Sequence, residues 1–584
     1  MSKRKKLKSR QSKDYAPQAT PEAEEIVLAP PVPLYRRLPF WIAVAVAVFL
    51  AIYLLRMDRV VGMMVDDAWY VLLAKALATG QGFRIINSPG ARIMPLYPPG
   101  FPFLLSLVFR IAPGFPENYW LLKSVSIAAM LGAGALTFIY CRRYRELPDL
   151  LSLLIAFVVA IAPPFAYLAT STVMSECVFT LAQLGAILLA ERAVRAQEAR
   201  LALRAAFLCA LVASYAFLVR SMGVGLLLAV LIYFAKERLV RPAILFAAVL
   251  ALCLGPWMIY SRLHAPALEQ RRQQGGHIVE PYTEQFWQST PGDRFSNKEN
   301  VSDLPGRVWK NTLEMAGDSA GELMATALHY PLKESGGGAA MLLSWPISLL
   351  ILLGYWKSAR QRLGMAEIVV PVSLAITLLW PWPPARLVLP LLPFWVFYFL
   401  AGLRAVGQFF DRAANSARPP KGPRDSRKAM AAGAACLAVI NLFGNGGYIA
   451  KKHGKEGIPW IHSFDEHKTM LDWMRERLPK EGENAVATNN PPLVHLYTGH
   501  KSVTIDTTTE NWDRWKRLGV RYFVRIPLKS DPVPPLDMNE GRFNLLYRST
   551  GPRQLRVIDL GPSASRRPWN RFSPESGIKF DKFN

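Results

Sequence analysis

Two adjacent carboxylates, Asp66 and Asp67, stand at the front of the stretch VDDAWYVLLAKALATGQGF, residues 65–83. From Ala68 onward, Trp69, Leu72, Leu73, Ala76 and Leu77 recur at the spacing of one apolar helix face, and Gly80 and Gly82 end the pattern. The apolar segment is about three turns long, too short to cross a bilayer. It is therefore expected to lie in the membrane interface, with the acid pair held between water and lipid. Two roles suit such a pair. An Asp at a helix N-terminus satisfies free N–H groups and favours the positive end of the dipole. Alternatively, a carboxylate at the membrane surface can act as a general base. On this stretch alone both stay open.

Three more charges sit at the ends of apolar runs, on the same expected membrane face. TSTVMSE (170–176) brings Glu176, LVRSMG (218–223) brings Arg220, and WPWPPARLVLPLLPF (380–394) brings Arg386. A charge inside an apolar segment costs about 2.5–3.5 kcal/mol at the helix centre and less near an end, so it is normally kept for a partner or a site. Taken singly, Glu176 reads as a helix-start acid and the arginines as side chains snorkelling to headgroups. Taken together they describe chemistry. A guanidinium binds phosphate bidentately, a carboxylate takes a proton from a hydroxyl, and a groove open to lipid admits a long apolar chain. The set fits a polyprenyl-phosphate-linked sugar, with its phosphate on arginine and its anomeric carbon beside Asp66.

The elements that must position these residues are membrane spans. Apolar runs are expected to span near 39–55, 120–140, 150–168, 174–190, 203–219, 222–234, 243–260, 339–356, 366–382, 385–402 and 429–448, eleven in all. The short, proline-flanked run 101–112 reads as a re-entrant or interfacial piece. Arg142, Arg143 and Arg145, the cluster Arg192 to Arg204, Lys236 to Arg241, Lys357 to Arg362 and the loop 403–428 all fall on one side. The positive-inside rule makes that side cytoplasmic, together with the basic tail. Residues 1–37 read as a disordered cytoplasmic tail. The first loop (56–118), a middle loop (262–338) and a C-terminal domain (451–584) then lie outside, with the transmembrane domain occupying 38–450. In the C-terminal domain HKTMLDWMRERLP is an amphipathic helix pattern. The segments AVAT, LVHLY, KSVTI, VRYFVRI, FNLLYR and LRVIDL read as strands of a small α/β or α+β domain without a catalytic signature.

Composition narrows the class. The chain has 584 residues, is 51% hydrophobic and carries a formal charge of +26. That charge is concentrated in the tail and in short loops between apolar runs, which orients a membrane protein and argues against nucleic-acid binding. The five cysteines (Cys141, Cys177, Cys209, Cys253, Cys436) lie in or beside apolar runs, without a CxxC or zinc-ligand spacing. No ligand spacing demands a metal, although carboxylate–phosphate sites can use a divalent cation.

DDAWYVLLAKALATGQGF, YPPGFPFLL (97–105), TSTVMSE and PARLVLPLLPF resemble, in order and spacing, the bacterial relatives of protein O-mannosyltransferases. That family includes the lipid A aminoarabinose transferase and belongs to the GT-C superfamily of membrane glycosyltransferases. The resemblance covers roughly residues 38–405. It implies a GT-C-like polytopic α-helical fold and an inverting glycosyltransferase of the bacterial inner membrane. Such an enzyme passes a sugar from a polyprenyl-phosphate donor to a lipid, glycan or protein hydroxyl. The family's catalytic aspartate falls on Asp66. Asp67, Glu176, Arg220, Arg386 and Tyr97 are then expected to bind substrate or, for the acids, a divalent cation. Leu387 stands where an aromatic residue is common. Two other readings compete: a transporter or flippase of lipid-linked sugars, and a non-catalytic envelope assembly protein. ENWDRW (510–515) only partly matches the WWD-type signature of oligosaccharyltransferases.

Overall fold

A computed structural model describes residues 37–561, apart from 91–96, 268–280, 291–295, 415–422, 453–463, 481, 483, 506–510, 527–542 and 551–554. The N-terminal tail expected at 1–37 lies outside the described residues save for Arg37.

Long, predominantly apolar runs form long helices. Among the described residues eight helices are long and apolar enough to cross a membrane, including α1 (Leu38–Arg56), α4 (Tyr119–Tyr144), α7 (Glu176–Val194), α8 (Ala199–Val219) and α10 (Val240–Leu263). Gly338–Gln361, Pro384–Phe410 and Arg427–Lys452 complete the eight. One further pair, α5 (Asp149–Ala160) and α6 (Pro163–Thr170), passes the same test together and is bent by 50°, as a broken span or a re-entrant loop is. The prolines at 163 and 164 lack the N–H groups that would continue α5, so the helix restarts at a new angle. The expected eleven is not confirmed among the described residues. Ser221–Lys236 and Met365–Leu379 are apolar helices below span length; fifteen residues rise only about 23 Å against a hydrocarbon core of about 30 Å.

Burial ranks these helices. The apolar windows of Pro384–Phe410 and α7 are 72% and 67% buried, whereas those of α1 and α10 are 17% and 11% buried. The two central helices are those that carry Arg386 and Glu176. Elsewhere backbone meets backbone directly: a Cβ on Gly354 would stand 1.8 Å from the Tyr398 carbonyl oxygen, and one on Gly402 2.1 Å from that of Leu350. These glycines let Gly338–Gln361 and Leu392–Ala414 cross closely, as small residues do in membrane bundles.

The short helix after α1 differs from expectation. It is α2, Asp66–Ala78, and starts at the first acid rather than at Ala68. Asp67 through Ala74, and Ala76, are buried, so the helix is enclosed on all sides instead of resting one face on lipid. The reason is in its sequence, where Tyr70, Val71 and Ala74 make the opposite side apolar as well. It packs between α3 (Gly100–Ile111) and the C-terminal domain.

That domain holds a five-stranded sheet in the order β2-β1-β3-β5-β4. β1 (Ala485–Thr488), β2 (Ser502–Thr504) and β3 (Val520–Val524) run parallel. β5 (Arg556–Asp559) is antiparallel to β3, and β4 (Asn544–Arg548) is antiparallel to β5. Trp515 packs with Ala487, Val503 and Phe523 in a core on one side. LVHLY is a helix, Pro491–Thr498, and not a strand. Asn490 caps it by accepting from Leu493 N, prolines open its first turn, and Gly499 closes it in the left-handed region.

Candidate active site

The site is built where the loop between α1 and α2 meets the ends of three spans. Val65 holds φ 65° and ψ −59°, an uncommon backbone for a β-branched residue. The Asp66 N–H donates to the Met64 carbonyl at 2.7 Å, closing a tight turn around it. Such a conformation costs about 1–3 kcal/mol and persists only when its surroundings enforce it. Its consequence is to send the two acids in different directions.

Asp67 turns inward. Its side chain is fully buried and accepts from the backbone N–H groups of Gly62 at 2.8 Å, Met64 at 3.0 Å and Ala68 at 3.0 Å. Burial pushes its carboxyl up to about 6, against the opposing pull of those amides. It satisfies backbone N–H groups of the loop and of the first helical turn, and it does not join the cluster of the other candidates.

Asp66 turns the other way. Its carboxylate accepts from Tyr97 Oη at 2.8 Å and from Arg386 Nη1 at 2.9 Å, and remains 24% exposed. Glu176, the first residue of α7, is fully buried and accepts from Arg386 Nε. Arg220 Nη1 reaches the same carboxylate oxygen at 2.9 Å. Arg220 is held at the end of α8 by extended backbone (φ −154°), and Arg386 by the short helix Pro384–Val388, which prolines open. Asp66, Tyr97, Glu176, Arg220 and Arg386 are therefore linked around Arg386.

Two residues not singled out from the sequence complete the cluster. Tyr70 lies one turn beyond Asp66 on α2; its hydroxyl stands 3.3 Å from Ser175 Oγ, which also accepts from Arg220 Nη1 at 3.3 Å. The Tyr70 ring packs edge-on against Tyr97, centroids 5.2 Å apart. Burial and the Asp66 charge push the Tyr97 hydroxyl well above its ordinary range, so it stays protonated and donates. The i, i+4 spacing from Asp66 was the available signal for Tyr70.

The network is incomplete in an informative way. Glu176 Oε2 and Arg220 Nε are buried without a hydrogen-bond partner. Arg386 Nη2 touches only the Met174 sulfur, at 4.0 Å, among its described contacts. Unfilled guanidinium donors beside an exposed carboxylate can take an anion and a hydroxyl together. Among the described residues no group of three or more His, Cys, Asp or Glu is arranged to hold a metal ion.

Solved structures share this architecture. The lipid A aminoarabinose transferase ArnT from Cupriavidus metallidurans, bound to undecaprenyl phosphate, aligns over 90% of this chain and 99% of its own. Its TM-score is 0.56 and its identity 14%. The fold is GT-C. The apo ArnT structure gives the same TM-score at 13% identity, over 89% of this chain and 97% of its own. The Archaeoglobus fulgidus oligosaccharyltransferase AglB, in complex with an inhibitory peptide and a dolichol-phosphate, aligns at 0.50 and 14% identity over 89% and 77%. No family model matches the chain, and no curated protein matches it in sequence. The GT-C fold thus comes from three-dimensional likeness, and the site's chemistry from the residues described above.

Proposed function

We propose that this chain is an inverting glycosyltransferase that takes a sugar from a polyprenyl-phosphate donor at the external face of a bacterial cytoplasmic membrane. The observation that carries the reading is Arg386, which bridges Asp66 and Glu176 at one end of the bundle while keeping a donor in reserve. The GT-C fold and the polyprenyl phosphates bound in its ArnT and AglB neighbours support it.

Asp66 Oδ2 removes the proton of an acceptor hydroxyl, whose oxygen bonds to the anomeric carbon from the side opposite the phosphate. The anomeric C–O bond breaks and its electron pair leaves on the phosphate oxygen. Arg386 and Arg220 stabilise that charge as it develops, and Glu176 holds both guanidiniums in place. In the structure Arg386 occupies Asp66 Oδ2. An arriving phosphate competes for the guanidinium and releases the carboxylate, so donor binding prepares the base. Tyr97 keeps Asp66 oriented through Oδ1. A divalent cation, if one takes part, would be drawn to Asp66 and Glu176.

The test uses purified full-length protein with a panel of undecaprenyl-phosphate-linked hexoses and pentoses. Acceptor-dependent cleavage of one donor, inhibited by undecaprenyl phosphate, is expected. Donor moved across a vesicle membrane without cleavage would replace this reading with transport.

A further inference from the structure

The loop 57–66 carries Asp66, and it is anchored from two directions. On the bundle side, Lys123 Nζ donates to the Asp58 carbonyl at 2.6 Å, to its carboxylate at 2.7 Å and to the Thr170 carbonyl at 2.7 Å. On the other side the anchor is the C-terminal domain. Tyr497 Oη donates to the Val61 carbonyl at 3.2 Å, and Asn490 Nδ2 donates to the Gly62 carbonyl at 2.8 Å. Asn490 is fully buried, and its own side-chain oxygen accepts from Leu493 N to start the helix Pro491–Thr498. One side chain thus joins the first turn of that helix to the loop before the acid pair.

Gly62 joins the start of α2 to the C-terminal domain. Its N–H goes to Asp67 and its C=O to Asn490. Its φ is +99°, and a Cβ there would lie 2.7 Å from Leu493 Cδ1. Three residues further on, Val65 holds its positive φ. A strained backbone relaxes when the contacts that enforce it are removed. Here relaxation of Val65 toward negative φ rotates Asp66 away from Tyr97 and Arg386.

We propose that Asn490 is a positioning residue for Asp66. Through Gly62, the C-terminal domain holds the Val65 turn that aims the carboxylate at Arg386. This rests on the reading of Asp66 as the base. It gives the C-terminal domain a part in turnover, although it brings no side chain to the reacting atoms.

Asn490→Asp tests it, because the substitution keeps the oxygen that caps Leu493 and replaces the donor to Gly62 with a second acceptor. Hydrogen exchange and donor cleavage are measured on the full chain in detergent or nanodisc. The expected result is faster exchange at the amides of 62–66 with unchanged protection of 491–498. Alongside it, kcat falls at least tenfold while the donor KM stays within about twofold. Tyr497→Phe, which removes the bond to Val61 and keeps the ring, is expected to lower kcat several-fold with the domain intact.

Wild-type kcat in Asn490→Asp despite a deprotected loop overturns the proposal. So does a loss of kcat that tracks exposure of 491–498 while Tyr497→Phe turns over normally. If Asn490→Asp is wild-type and Asp66→Asn is inactive, the positioning role alone falls. If Asp66→Asn cleaves donor normally, the base assignment falls first.

Discussion

Glu176 and Glu191 stand on the same helix, α7, about 22 Å apart by the rise of fifteen residues. Both are buried among arginines, yet the two surroundings differ. At the far end Glu191 accepts from the Met365 N–H at 2.8 Å and from Arg362 at 3.3 Å, with Arg195 at 3.8 Å. Beside it Glu367 accepts from Arg145, from Tyr398 at 2.9 Å and from the Gly364 N–H at 3.2 Å. Every carboxylate oxygen there has a partner. At the Glu176 end one carboxylate oxygen and one guanidinium nitrogen are buried and unfilled, and Asp66 and Arg386 are 24% and 33% exposed. A closed network of this kind is a clamp between helices. An open one is costly unless something else completes it. What separates the two ends is the partly exposed carboxylate of Asp66, since both acids at the far end are buried.

The contrast can be broken by substitution. Arg386→Met is expected to lower donor cleavage by about 10²–10³-fold, as loss of a charge-stabilising donor does, while thermal stability stays near wild type. Equal losses of folding and activity would make the Glu176 end a clamp as well. Glu367→Ala is the converse. It leaves Arg145 without its buried partner and should cost about 3–5 kcal/mol of stability, with kcat per folded molecule unchanged. A catalytic defect without unfolding would mean the far end takes part in turnover.

The smallest effect concerns the domain that holds the loop. Burial lowers His495 from 6.5 to about 4. Between those values the unfolded chain binds the proton and the native one does not, so stability falls as pH drops through that window. Thermal unfolding at pH 7 and pH 5 should show a larger decrease in wild type than in His495→Gln. Parallel decreases would remove His495 from the account.

Charge in apolar runs made Glu176, Arg220 and Arg386 legible, because the cost of burying it narrows the reasons for keeping it. The same logic applied to Lys123, inside the span expected at 120–140, and to Glu191 and Glu367. Arg145 and Arg362 looked like ordinary cytoplasmic loop charges, and only tertiary structure pairs them with acids. Asp66 and Asp67 carry identical local signals, and their division of labour depends on the Val65 backbone. LVHLY alternates well enough to pass as a strand, but Asn490, the two prolines and Gly499 were helix signals in plain sight.

The central claim is that Asp66 acts as the base on a donor held by Arg386 and Arg220. Its most direct test is single-turnover sugar transfer by Asp66→Asn and wild type, each with undecaprenyl phosphate affinity measured in parallel. The account predicts unchanged or tighter binding of the lipid phosphate and transfer slowed by about 10²–10⁴-fold, the range of general-base catalysis. Transfer at the wild-type rate by Asp66→Asn would contradict it.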